Sequence, residues 1–132
     1  LNARLWDVQR QVVIFHSERQ PAVEEALKAK GAQLVCLPGE GQKVDLAAMV
    51  GHLGQLPCNE VHIEAGHKLN GSLLKAGLVD ELLVYIAPLL LGPGQAMAAM
   101  PELKTLPSTG AWVFTDHTTL GSDLRVRLRA AR

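Results

Sequence analysis

The stretch His62–Ser72, His-Ile-Glu-Ala-Gly-His-Lys-Leu-Asn-Gly-Ser, gathers most of the residues of this chain whose types could do chemistry. Glu64 closes a short apolar run, and Gly66 stands where a helix-like segment begins. In a parallel α/β sheet, ligands bind beyond the carboxyl ends of the strands. Backbone N–H groups at a helix start have no partner in the helix and attract anions. Glycine has no Cβ, so Gly66 lets a ligand approach the backbone, and Gly71, about one and a half turns on, offers a second approach. A packing role competes with this reading: Gly66 serves the turn and Gly71 lets the helix pack on the sheet. The pattern is neither G-x-G-x-x-G nor a P-loop.

Other chemistries fit less well. His62, Glu64 and His67 form H-x-E-x-x-H, but a zinc deaminase also needs a later P-C-x-x-C. Here Pro57-Cys58 precedes the histidine and no C-x-x-C occurs, so no metal site is expected. H-E-x-x-H and G-x-S-x-G are absent, and Ser72 has no paired base nearby, so no side chain is assigned a catalytic role. Cys36 and Cys58 are read as reduced thiols in the core. His16, His52 and His117 lack partners at useful spacing, which makes a structural or surface role the default. Asp80 and Glu81 are read as solvated charge at the start of a strand. Arg125, Arg127 and Arg129 alternate along the last strand and share a face, read as solvated or as a blunted sheet edge.

The elements that must position these residues follow from pattern. Val12–Phe15 is a strand. Pro21 opens a helix that Gly31 ends, with Ala22, Ala26 and Ala29 packed and Glu24, Glu25 and Lys28 outward. Gln33–Leu37 is the next strand, and residues 38–43 are a loop. Asp45 caps a helix whose Leu46, Met49, Val50 and Leu53 recur at helical spacing. Glu60–Glu64 is a third strand, Gly66–Ala76 a third helix with Leu69, Leu73 and Ala76 on its core face, and Glu81–Ala87 a fourth strand. The alternation predicts an α/β domain with a parallel sheet. Leu89–Gly110 is an extended loop with a helical turn near Gln95–Met100. Trp112–Thr119 and Leu124–Arg129 form a closing antiparallel hairpin around Gly121-Ser122-Asp123.

Composition narrows the class. At 132 residues the chain is one domain, and 48% hydrophobic with only 4% aromatic residues predicts an aliphatic core. Thirteen basic and thirteen acidic residues balance to zero, against the basic excess expected of a nucleic-acid binder. The most apolar run, Leu82–Leu91, is about half the ~20 residues of a bilayer span and contains Pro88, so no membrane insertion is expected. No secretory signal pattern opens the sequence, and a cytoplasmic protein is expected. Leu1 in place of an initiator methionine suggests a fragment or a processed chain.

The segment Val61–Gly92 resembles the C-terminal reductase domain of the bifunctional riboflavin-biosynthesis deaminase/reductase. The resemblance is carried by Glu64, Gly66, Leu69 and Leu73, by Gly77-Leu78-Val79-Asp80-Glu81-Leu82, by Ala87-Pro88 and by Gly92. It covers about a quarter of the chain closely, with weaker agreement in element order elsewhere. It implies a dihydrofolate-reductase-like fold, mainly parallel, with a C-terminal antiparallel hairpin. It also implies NADPH-dependent reduction of 5-amino-6-(5-phosphoribosylamino)uracil to the ribitylamino product, in a longer protein that also carries a pyrimidine deaminase. By the same resemblance Glu64 contacts the small-molecule substrate, and Gly66, His67, Lys68, Leu69, Asn70, Gly71 and Ser72 line the NADPH site.

Two departures stand out. His67 and Lys68 follow the motif glycine where the family commonly has Pro or Gly. By the resemblance the N-terminal part of the family domain is expected to be missing, so an N-terminally truncated fragment of low activity on its own is expected. A sheet without its first strand has raw edges, so a homo-oligomer, a dimer in the simplest case, is expected. The alternatives are a stand-alone reductase of the same superfamily acting on another substrate, and a non-catalytic oligomerisation module.

Overall fold

The computed structural model describes residues 3–7, 10–102, 104–105 and 111–131. Two units divide the chain, residues 1–61 and residues 62–132. In the first unit, β1 (Val12–His16) and β2 (Ala32–Cys36) pair in parallel with Val12 opposite Ala32 and His16 opposite Cys36. Between them runs α1 (Pro21–Lys28), with proline in its first turn, as the fixed φ of that residue favours. Ala26 and Leu27 are half-buried, whereas Ala22 and Ala29 are exposed, so the inward stripe lies differently than expected. Glu24 is not wholly outward: its carboxylate accepts from the Gln20 N–H at 3.2 Å and lies 3.9 Å from Arg19.

After β2 the chain makes a short bridge between Pro38 and Val44 around a single 3-10 turn, Glu40–Gln42. The helix α2 (Leu46–Leu53) follows, and the Asp45 side chain accepts from the Ala48 N–H at 2.9 Å, the expected cap. Leu46, Met49, Val50 and Leu53 are all half-buried, as their spacing predicts. His52 meets Phe15 edge to face, with ring centroids 5.5 Å apart. Cys36 is half-buried; Cys58 is exposed rather than in the core, and both are free thiols.

The second unit holds α3 (His67–Lys75) and an antiparallel sheet of β3 (Glu81–Ile86), β4 (Trp112–Leu120) and β5 (Asp123–Ala130) in the order β3-β5-β4. α3 ends in a Schellman arrangement. The Gly77 N–H donates to the Leu74 carbonyl and the Leu78 N–H to the Leu73 carbonyl, both at 3.1 Å. Gly77 sits at φ +66°, which a residue with a Cβ adopts only under strain. β4 and β5 form the expected hairpin, turning at Gly121-Ser122 with Leu120 opposite Asp123, and a bulge lies between Phe114 and Asp116.

The α/β expectation therefore holds, with a parallel pair in the first unit and an antiparallel sheet in the second. Two details differ. Residues 60–66 form no strand and pair with none, and residues 95–100 form no helical turn. Part of the long loop expected before the hairpin, residues 103 and 106–110, lies outside the described residues. No helix among the described residues is long and apolar enough to cross a membrane.

The arginines are placed differently than expected. Because β5 is the central strand, Arg125, Arg127 and Arg129 run down the middle of the sheet and not along an edge. Carboxylates on the flanking strands answer them. Glu81 reaches Arg127 at 3.1 Å and Arg129 at 3.2 Å, and Asp116 accepts from Arg125 at 2.8 Å. Glu81 is thus half-buried and paired, and Asp80 accepts from the Ala130 N–H through its backbone carbonyl. Beyond β3, Leu89, Leu90 and Leu91 form an exposed apolar run.

Leu73 is 1% exposed, the most deeply buried large side chain among the described residues, while Leu69 on the same helix is 40% exposed. Leu73→Ala is expected to cost about 2–5 kcal/mol and Leu69→Ala less than about 1 kcal/mol in urea denaturation. Equal losses would show that α3 is packed differently.

Candidate functional site

Glu64 lies in the irregular stretch that leads into α3. Its Oε1 is 3.3 Å from the His62 Nε2, and both side chains are largely exposed. The pair keeps the same-side relation that alternation predicts for residues two apart, although no strand forms. Among the described residues no group of three or more His, Cys, Asp or Glu side chains is arranged to hold a metal ion. His67, the third member of the H-x-E-x-x-H pattern, turns to another partner, the Gln95 side chain.

Gly66 is the N-cap of α3 with extended backbone, φ −74° and ψ 163°. A glycine has no side chain with which to cap, so the N–H groups of the first turn have no side-chain acceptor. No acidic residue stands in that turn, and Lys68 is exposed beside it. A Cβ placed on Gly66 would meet nothing within 4 Å. The start of α3 is thus open, electropositive and accessible to a ligand's backbone-directed oxygen atoms.

The seven residues expected to line a cofactor are not equivalent. Gly66, Lys68 and Leu69 are exposed; His67, Asn70 and Ser72 are half-buried; Gly71 is buried. The Ser72 hydroxyl donates to the Lys68 carbonyl at 3.0 Å, a bond within the helix. The Asn70 amide donates to the Met97 carbonyl at 2.9 Å. The Ala99 N–H donates to the His67 carbonyl at 2.8 Å. The space beside Gly71 is filled by the backbone of Ala99, so the close approach seen at this glycine is made by the chain itself. Gln95, Met97 and Ala99 were read only as part of a helical turn and not as site residues, because the run Gly-Pro-Gly-Gln-Ala-Met-Ala-Ala-Met carries no binding motif.

Comparison with known proteins bears on the chain as a whole. The sequence profile of the RibD C-terminal domain matches residues 1–126. The riboflavin biosynthesis protein RibD of Escherichia coli K12 is 38% identical over 96 residues, covering 72% of this chain and 26% of that protein. The 5-amino-6-(5-phosphoribosylamino)uracil reductase of Buchnera aphidicola subsp. Acyrthosiphon pisum is 33% identical over 88 residues, 66% of this chain and 42% of that protein. Among solved structures, Acinetobacter baumannii RibD (form 2) superposes with a TM-score of 0.69 at 26% identity, covering 91% of this chain and 31% of that one. The chain therefore spans about a quarter to under half the length of these relatives.

The exposed His62–Glu64 contact contributes little to stability, since even a fully charged pair at the surface is worth about 0–1 kcal/mol. His62→Ala is expected to change the unfolding free energy by less than about 0.5 kcal/mol in urea melts. A larger loss would mean that His62 holds the irregular segment in place.

Proposed function

Because this chain belongs to the RibD C-terminal domain family, we propose that it forms part of an NADPH-dependent reductase of riboflavin biosynthesis. The reaction is reduction of 5-amino-6-(5-phosphoribosylamino)uracil to its ribitylamino product, in a cytoplasmic enzyme. The observation that carries the reading is the open start of α3 next to Glu64, in a chain of this family.

The residues at that start fit an anionic dinucleotide. The turn offers N–H groups without side-chain acceptors, a nearby lysine and no carboxylate of its own. Gly66, Lys68 and Leu69 are the members free to touch the cofactor, and His67, Asn70, Gly71 and Ser72 complete the segment. When bound, the nicotinamide supplies the hydride. The chain's own contribution is placement. Glu64 accepts a hydrogen bond from the substrate and holds it, and the α3 turn holds the cofactor, so that the two reacting carbons meet in a fixed geometry. Reduction of the ribosyl carbon also consumes one proton, and no side chain of this chain is assigned to deliver it.

Self-association belongs to the same reading. β3 and β4 are the outer strands of their sheet, and Tyr85 and Phe114 on them are 58% and 71% exposed. A second copy covering these strands gives a dimer, which light scattering of the purified protein reads directly.

Calorimetric titration with NADPH, with NADH as the control, tests the cofactor reading in the full-length polypeptide. Selective NADPH binding supports it, and equal or absent binding rejects it. Two substitutions divide the site. Gly66→Val is expected to weaken NADPH binding at least about tenfold, while costing about 1 kcal/mol or less in stability, because a Cβ at this position has no protein atom within 4 Å. Glu64→Gln is expected to lower turnover on the order of ten- to a hundredfold with the fold intact. Unchanged kinetics in both variants would end the assignment.

A further inference from the structure

Residues 95–100 lie along the first turns of α3 and are fastened there at four points. The Gln95 side chain bonds the His67 ring at Nδ1. The Met97 carbonyl accepts from the Asn70 amide at 2.9 Å. The Ala99 N–H donates to the His67 carbonyl at 2.8 Å. The Ala99 backbone also sits directly over Gly71, where an added Cβ would come within 2.8 Å of its carbonyl carbon and its nitrogen.

Helix geometry links the last two points. Each Cα–Cβ bond tilts toward the helix start, so a side chain at position 71 would cover the turn below it, where the His67 carbonyl lies. With glycine there, the Ala99 N–H reaches that carbonyl unobstructed. The arrangement also answers a difficulty at the start of α3. A first turn frays unless something holds it, and the usual holder is a capping side chain that occupies the N–H groups. Gly66 provides no such side chain. Residues 95–100 hold the turn by its carbonyl and its side chains instead, which leaves the N–H groups open to an anion.

We propose that residues 95–100 are a strap that positions the first turn of α3 for the cofactor, and that Asn70, Gly71 and Gln95 are positioning residues acting through it. The inference rests on the NADPH reading above. It assigns Asn70 and Gly71 a contact with the strap where a lining role would give them contact with the cofactor. His67 then joins strap and helix through two different atoms, its ring nitrogen and its carbonyl oxygen.

The test uses Gln95→Ala and Gly71→Ala in the full-length polypeptide, with two readouts. The first is hydrogen exchange of residues 66–72 and 95–100 without cofactor. The second is NADPH affinity by titration, set against turnover at saturating NADPH. The strap predicts faster exchange in both segments in the cofactor-free protein. It also predicts NADPH binding weakened by about three- to tenfold per lost hydrogen bond, out of proportion to any change in turnover. Should Gly71→Ala fold poorly, Gln95→Ala, whose side chain is on the surface, carries the test alone. Wild-type binding with unchanged exchange in the variant, or with faster exchange and unchanged affinity, overturns the strap and leaves the cofactor reading intact. Failure of the wild-type protein to bind NADPH rejects the cofactor reading, and the positioning role falls with it.

Discussion

The seating of the Ala99 backbone on Gly71 is the constraint from which the geometry of the candidate site follows. α3 is only nine residues long, and helices of this length draw their stability from tertiary contacts more than from propensity. Its far end is closed by the Gly77 Schellman bonds and its middle is anchored by the buried Leu73. Its near end has neither a capping side chain nor an acidic first turn. There the chain substitutes a remote segment for a local cap, and what remains accessible is the set of groups an anionic ligand needs.

The sheet of the second unit solves a separate problem. Placing three arginines along a central strand would be costly if they faced one another alone, since like charges at successive same-face positions repel. Glu81 from one neighbour and Asp116 from the other interleave with them. The same strand turns Val126 inward to burial, so β5 carries the charged ladder on one face and an apolar residue on the other. Glu81, which opens β3, is therefore part of the sheet's charge pairing.

What the sequence revealed sorts by the range of the interactions involved. Asp45 as a cap, the close of the third helix by Ala76 and a hairpin turning near Gly121-Ser122 depend on residues a few positions apart, and all are found. The Glu64–Gly66 turn into α3 was legible for the same reason. Strand pairing is different. Val61 and Ile63 have strand-like composition, yet residues 60–64 pair with nothing in the described structure, because a strand exists only where a partner strand lies beside it. The central position of β5 likewise depends on strand order, which alternation along one strand does not encode. The contacts of Gln95 and Met97 with α3 span 28 and 27 residues and leave no periodic trace. Gly71 was recognised as a place of close approach, but its neighbour could be named only once the chain was folded.

The exposed run Leu89–Leu91 has a bearing on how the protein behaves in concentrated solution. Its leucines present 68%, 104% and 85% of their surface, and the chain as a whole carries no net charge at neutral pH. Long-range repulsion between molecules is then at its weakest where an apolar ridge is available for contact. Contact between molecules through this ridge is then opposed by short-range hydration, and a buffer pH at which the chain carries net charge adds a long-range barrier.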